Sequence, residues 1–141
     1  RYPLPKNVEI KIIKPTDDYA HESFPESKYA IDFLVEIGTS VLAARDGVVW
    51  KIKDDSDKWG LEKDLAQEVN FVAIDHSDGT YAEYLHLGKD KVEVKEKQKV
   101  KTGDLLGYTG LSGIMDKPHL HFNLFKIEGG KGVSIPIKFK D

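Results

Sequence analysis

The stretch PHLHFNLFKI, residues 118–127, sets His119 and His121 two positions apart in a run that alternates like a β-strand. Side chains two apart on a strand point the same way. His119, His121, Asn123 and Phe125 therefore share one face. Leu120, Phe122 and Leu124 share the other, which reads as the core face.

Period-two alternation of this kind recurs along the chain. KYAIDFLV, SVLAA, GVVWKIK, NFVAIDH, TYAEYLHL, KVEVK, LLGYTG, HLHFNLFKI and VSIPIKF read as strands, separated by Gly, Asp and Ser turn signals. HSDGTY, with Asp78-Gly79 between two alternating runs, predicts a hairpin. Many short strands at close spacing predict an all-β, single-domain antiparallel β-sandwich or partly open barrel over residues 1–141. Residues 54–69 have some helical character but are polar and short, and read as a long excursion on a hairpin with a helical turn.

With 141 residues, the chain is long enough for one domain with a substantial core. The formal charge is -3, and basic runs such as KVEVKEKQKVK are interleaved with acids and valines. That balance gives no attraction to nucleic acid or to an anionic membrane. No run of eighteen apolar residues exists to span a bilayer. Cysteine is absent, so any metal site depends on His, Asp and Glu. The chain opens RYPLPK, without Met or a signal-peptide pattern, which reads as a mature or trimmed form.

Strand arithmetic places the other ionisable residues. In TYAEYLHL it groups Ala82, Tyr84 and His86 opposite Tyr81, Glu83, Leu85 and Leu87. In KYAIDFLV it groups Asp32 with Ala30 and Leu34 opposite Tyr29, Ile31, Phe33 and Val35. A carboxylate inside an apolar strand is costly unless something pairs with it. His76, beside the Asp78-Gly79 turn, reads as a cap of that hairpin. Two imidazoles on one face repel when both are charged, so the His119/His121 pair is most simply explained by a shared metal or catalytic site.

GTSVLAARDGVVWKI, IDHSDGTYAEYLHL, VKTGDLLGYTG and PHLHF follow one another in that order. Together they resemble the lysostaphin-type, or LytM-type, zinc metallopeptidases (peptidase family M23), from about Tyr19 to Phe125. The resemblance implies one zinc held by a His and an Asp from an early segment and by the second His of H-x-H. On this chain those are His21, Asp32 and His121. The family's usual form is H-x-G-x-D, but four residues before Asp32 stands Lys28. The nearest upstream histidine is His21, and YAHESFPESKYAIDF resembles a subgroup with a longer intervening loop. His86 and His119 resemble the pair that flanks the metal's water, one as general base and one as oxyanion donor, in either order. Asn123 and Tyr84 are candidates to orient an imidazole, or else polar residues lining a groove. Residues 20–28, 54–69 and 111–117 are expected to wall the site, with Trp59 packing its loop down.

The resemblance implies a zinc endopeptidase acting on peptide bridges or stems of a cell wall, exported to the periplasm, cell envelope or exterior, and working as a monomer. The absent His at position 28 supports the alternative of an inactive LytM-like regulator or wall-binding module. AARDGVV with VKTGDLLG also resembles the halves of a biotinyl or lipoyl carrier domain, but the hairpin between them, HSDGTY, lacks the lysine such a domain would modify.

Overall fold

The computed structural model describes residues 1–13 and 28–139. Their strands are β1 (Ile12–Ile13), β2 (Ile31–Leu34), β3 (Ser40–Leu42), β4 (Gly47–Lys53), β5 (Trp59–Gly60), β6 (Phe71–Asp75), β7 (Thr80–Leu85), β8 (Leu87–Val92), β9 (Lys99–Val100), β10 (Leu105–Thr109), β11 (Gly113–Ile114), β12 (His119–Glu128) and β13 (Lys131–Ser134). One 3-10 helix, Lys63–Glu68, lies between β5 and β6.

The main sheet runs β1-β2-β12-β7-β6-β4-β9, with β13 also paired to β12, and a smaller sheet runs β3-β10-β8. Among the described residues every strand pair is antiparallel except β5 with β11, which are parallel. The sheets of the described residues are open and form no closed barrel, in keeping with the expected antiparallel sandwich or partly open barrel.

Cross-strand partners occupy the same face of a sheet. Leu120 pairs with Phe33, Phe122 with Tyr84 and Leu124 with Ala82. These side chains meet Val49, Val72 and Ile74 from the main sheet and Val41, Leu87 and Leu106 from the smaller one in a single buried cluster. The assignment of Leu120, Phe122 and Leu124 to the core face is therefore correct. The same register puts His121 opposite Asp32 and Leu85 on the other face of the main sheet.

The HSDGTY hairpin forms as expected between β6 and β7, closed by His76 N–H donating to Thr80 O, with Gly79 at φ 90°. The His76 ring does not cap that turn: its Nδ1 lies 2.7 Å from the Asp46 carbonyl, tying the hairpin to the connection before β4. Residues 54–69 are the expected excursion with a helical turn, pinned by β5 to β11.

Candidate metal centre

Asp32 and His121 are opposite each other on β2 and β12, and His119 lies two positions along the same strand face. Asp32 Oδ1 is 2.9 Å from His121 Nδ1 and 3.8 Å from His119 Nε2. Asp32, His86, His119 and His121 are all buried. The rings of His86 and His119 are 4.5 Å apart, and those of His86 and His121 meet edge-on at 5.9 Å. One nitrogen from each of the three imidazoles lies within 4.8 Å of the others.

His86 reaches this group by breaking its strand. Continued alternation would send it to the core face with Ala82 and Tyr84. Instead β7 ends at Leu85, and His86 takes a left-handed φ of 71°. That turn brings the ring to the side where Leu85 already faces His121. Tyr84 remains behind, which corrects its candidate role beside His86. It is fully buried on the core face, where its hydroxyl oxygen accepts the Ala44 N–H at 2.9 Å.

Asn123 does share the His121 face. Its Nδ2 donates to Glu83 Oε1 at 3.0 Å, and its Oδ1 accepts from Ser134 Oγ at 2.9 Å. Ser134 Oγ accepts in turn from Tyr29 N–H. Asn123 thus ties β12 and β7 to the chain entering β2. Trp59, expected to pack its loop down, is 48% exposed, since the loop is held through backbone pairing to Gly113. His21 lies outside the described residues, as does most of the expected 20–28 wall. Lys28 directs its ammonium at the Tyr29 ring, 5.2 Å from the centroid.

The protonation states follow from the partners. His86 Nδ1 is 2.6 Å from the Ser112 carbonyl, and His119 Nδ1 is 2.9 Å from the Lys117 carbonyl. A carbonyl only accepts, so both rings carry their proton on Nδ1 and leave a lone pair on Nε2. Burial, reinforced by the neighbouring His119 and His121, holds the His86 pKa well below the ordinary imidazole value. Burial also lowers that of His119, against the opposing pull of Asp32. Both rings are therefore neutral near pH 7. His119 Nε2 is buried without a hydrogen-bond partner among the described residues.

Buried neutral imidazoles beside a carboxylate fit a divalent cation of zinc type, which takes N and O donors and needs imidazole unprotonated. Two ligands of one zinc, each roughly 2.0–2.1 Å from it, lie no more than about 4.2 Å apart. Asp32 Oδ1 and His121 Nδ1 meet that limit as they stand.

The family model for peptidase family M23 matches residues 26–135, most of the chain. The chain belongs to peptidase family M23. Members of this family are zinc metallopeptidases and hydrolases of peptidoglycan. Over 93 residues the chain is 36% identical to the peptidoglycan DD-endopeptidase ShyA of Vibrio cholerae, covering 66% of this chain and 19% of that protein. It is 33% identical to the glycyl-glycine endopeptidase ALE-1 of Staphylococcus capitis, covering 67% of this chain and 23% of that protein. This M23 chain therefore spans about a fifth of the length of the curated relatives it matches. Among solved structures it is similar to the catalytic domain of a mutant of the prophage-encoded M23 protein EnpA from Enterococcus faecalis. The TM-score is 0.60 at 29% identity, covering 77% of this chain and 74% of the other. The catalytic domain of lysostaphin from Staphylococcus simulans superposes with a TM-score of 0.57 at 27% identity, covering 75% of this chain and 74% of the other.

Two contributors to this M23 site were not singled out from sequence, Asn70 and Ser112. Asn70 is a fully buried amide heading an otherwise apolar strand, and that placement is the one signal the sequence offers. Ser112 sits in the expected 111–117 wall but carries no mark distinguishing it from a solvated loop serine.

Proposed function

We propose that residues 1–141 form a single zinc endopeptidase domain that hydrolyses peptide bonds in the bridges or stems of peptidoglycan, outside the cytoplasm. The observation that carries this is the buried convergence of Asp32, His86, His119 and His121, with two neutral imidazoles each keeping a lone pair on Nε2.

In this reading Asp32 and His121 hold the metal, and His21 is the third ligand that the family resemblance supplies. His86, His119 and His121 also gather one nitrogen each, but only within 4.8 Å of one another, a looser grouping than the limit of about 4.2 Å for two ligands of one zinc. The 2.9 Å contact between the Asp32 carboxylate and His121 Nδ1 favours the carboxylate-containing set. When bound, zinc supplies Lewis acidity, making water acidic enough to attack near neutral pH and polarising the scissile carbonyl.

The chain's own residues do the rest. A neutral Nε2 on His119 or His86 accepts the proton of the attacking water, and the same atom later returns it to the leaving amine. The other imidazole would donate a hydrogen bond to the oxyanion from Nε2 only after taking a proton from solvent there, which it would give back when the intermediate collapses. Each Nδ1–H is committed to a backbone carbonyl, so only Nε2 is available for transfer. Relatives named as peptidoglycan DD-endopeptidase and glycyl-glycine endopeptidase support a peptidoglycan substrate.

The test is metal analysis of the purified chain together with solubilisation of purified sacculi. One zinc per chain is expected, with hydrolysis abolished by a chelator and restored by added zinc. His121→Ala is expected to lose both metal and activity. Undiminished zinc in His121→Ala would overturn the ligand assignment. A zinc-loaded chain that binds sacculi without cutting them would favour the regulator reading.

A further inference from the structure

The surroundings of His86 contain a buried polar network that the proton-transfer chemistry above leaves unexplained. Asn70 and Ser112 are both fully buried, and they bond to each other through Asn70 N–H donating to Ser112 Oγ at 2.9 Å. Ser112 Oγ donates in turn to the Leu87 carbonyl at 2.8 Å, and Asn70 Nδ2 reaches the same carbonyl at 3.2 Å. Asn70 O accepts the N–H groups of His86 and Leu87 at 3.0 and 3.2 Å. Gly110 N–H closes on His86 O at 2.9 Å, and Ser112 O accepts His86 Nδ1–H at 2.6 Å. Backbone on both sides of His86, and one nitrogen of its ring, are thus held by Asn70 and Ser112 or by the chain between Gly110 and Ser112.

A buried amide and a buried hydroxyl cost free energy unless every donor and acceptor is met. Here that cost is met partly at the Leu87 carbonyl, which accepts from both side chains, and partly at Ser56, whose backbone N–H donates to Asn70 Oδ1 and whose carbonyl accepts from Asn70 Nδ2. The left-handed φ at His86 is itself unfavourable for a residue with a Cβ. Strained backbone at a functional residue persists only where its surroundings over-determine it.

We infer that Asn70 and Ser112 are positioning residues for His86: together they hold its left-handed backbone and fix its ring in the Nδ1–H tautomer with Nε2 facing the metal centre. Neither contacts substrate. The catalytic consequence rests on the reading of His86 as a proton-transfer group, whereas the tautomer and the backbone do not.

Ser56 serves as the internal control. Its Oγ donates to Glu68 and accepts Lys58 N–H, touching neither His86 nor Leu87, although the residue belongs to the same network through Asn70. The experiment compares Ser112→Ala, Asn70→Asp and Ser56→Ala in the full chain. Long-range 1H–15N spectra of the metal-free protein read the His86 tautomer, and kcat, KM and zinc content are measured on the loaded protein.

The wild type is expected to show a single His86 tautomer protonated at Nδ1. Ser112→Ala and Asn70→Asp are expected to populate the Nε2–H tautomer and to lower kcat about 10- to 100-fold, with KM and zinc content near wild type. Ser56→Ala is expected to keep both the tautomer and kcat. Equal losses in all three variants, or wild-type tautomer and kcat in Ser112→Ala and Asn70→Asp, would overturn the inference. So would a wild-type His86 protonated at Nε2 or averaging between tautomers, a result that needs no variant to fold. If the zinc-loaded wild type cuts nothing while the tautomer behaves as described, the peptidase reading fails and the positioning of His86 stands.

Discussion

At His86 the backbone and the side chain make opposed demands. A φ of 71° suits glycine, yet the position carries an imidazole. A left-handed conformation costs an L-residue roughly 1–2 kcal/mol relative to its ordinary regions, and glycine escapes that cost. His86→Gly and His86→Ala both remove the ring and leave the Ser112 carbonyl without its imidazole donor, so that loss cancels between them. The glycine variant is expected to be about 1 kcal/mol more stable than the alanine variant, and both are expected to be inactive. Urea unfolding of the two purified variants checks this. An alanine variant as stable as the glycine one would mean that the backbone relaxes to negative φ without the ring. The same residue marks where period-two reading stops working. The sequence placed His86 with Tyr84, and nothing in YLHL announces a left-handed turn where glycine is absent. His119, His121 and Asp32 were legible because their strands keep alternation throughout, so their faces followed from spacing, while the association of Asp32 with His121 came from the family resemblance.

Most elements of four residues and more could be read from the sequence, while two-residue strands could not, and the expected strand VSIPIKF overlaps β13 only at Val133 and Ser134. β4, β6, β10 and β12 fall where alternation and turn residues placed them. KVEVK is displaced, because the strand there starts at Leu87, immediately after the turn at His86. β5 and β11 carry no periodic signal at all, yet their parallel pairing fixes the 111–117 segment beside His86. Two glycines make this approach possible. A Cβ on Gly110 would stand 2.4 Å from Gly88 Cα and 2.8 Å from Gly88 N. Both are backbone atoms with no rotamer to yield. Gly110→Ala must therefore push the segment before Ser112 away from the start of β8, and overpacking of this kind typically costs about 1–3 kcal/mol. The expected outcome is a destabilised protein whose residual folded fraction hydrolyses peptide more slowly than wild type. Thermal melts combined with rates normalised to folded protein separate the two effects. A wild-type normalised rate would show that the approach of the two chains serves stability alone.

Across the whole molecule, the buried histidines link folding to pH. His76, His86 and His119 all have pKa values lowered by burial, so the folded metal-free protein keeps them neutral where the unfolded chain would protonate them. Below pH about 6.5, the ordinary imidazole value, the unfolded state binds more protons than the native state. Stability therefore rises with pH through this window and falls as the solution is acidified, by up to ~1.4 kcal/mol per pH unit for each histidine that titrates only when unfolded. Above that window the three contribute no slope. The metal-free protein is expected to lose stability steadily between pH 7 and 5, read as a falling urea midpoint at constant m. His76 separates the fold from the site, because its ring bonds the Asp46 carbonyl at the far hairpin and not the metal centre. His76→Gln lowers overall stability by removing that contact, but it also removes one titrating group. Its stability should therefore fall less steeply with acid than that of the wild type, while zinc binding at pH 7.5 stays unchanged. Parallel pH profiles for the two proteins would place all the acid sensitivity at the metal centre, and would mean that the hairpin histidine takes up its proton in the folded state as readily as in the unfolded chain.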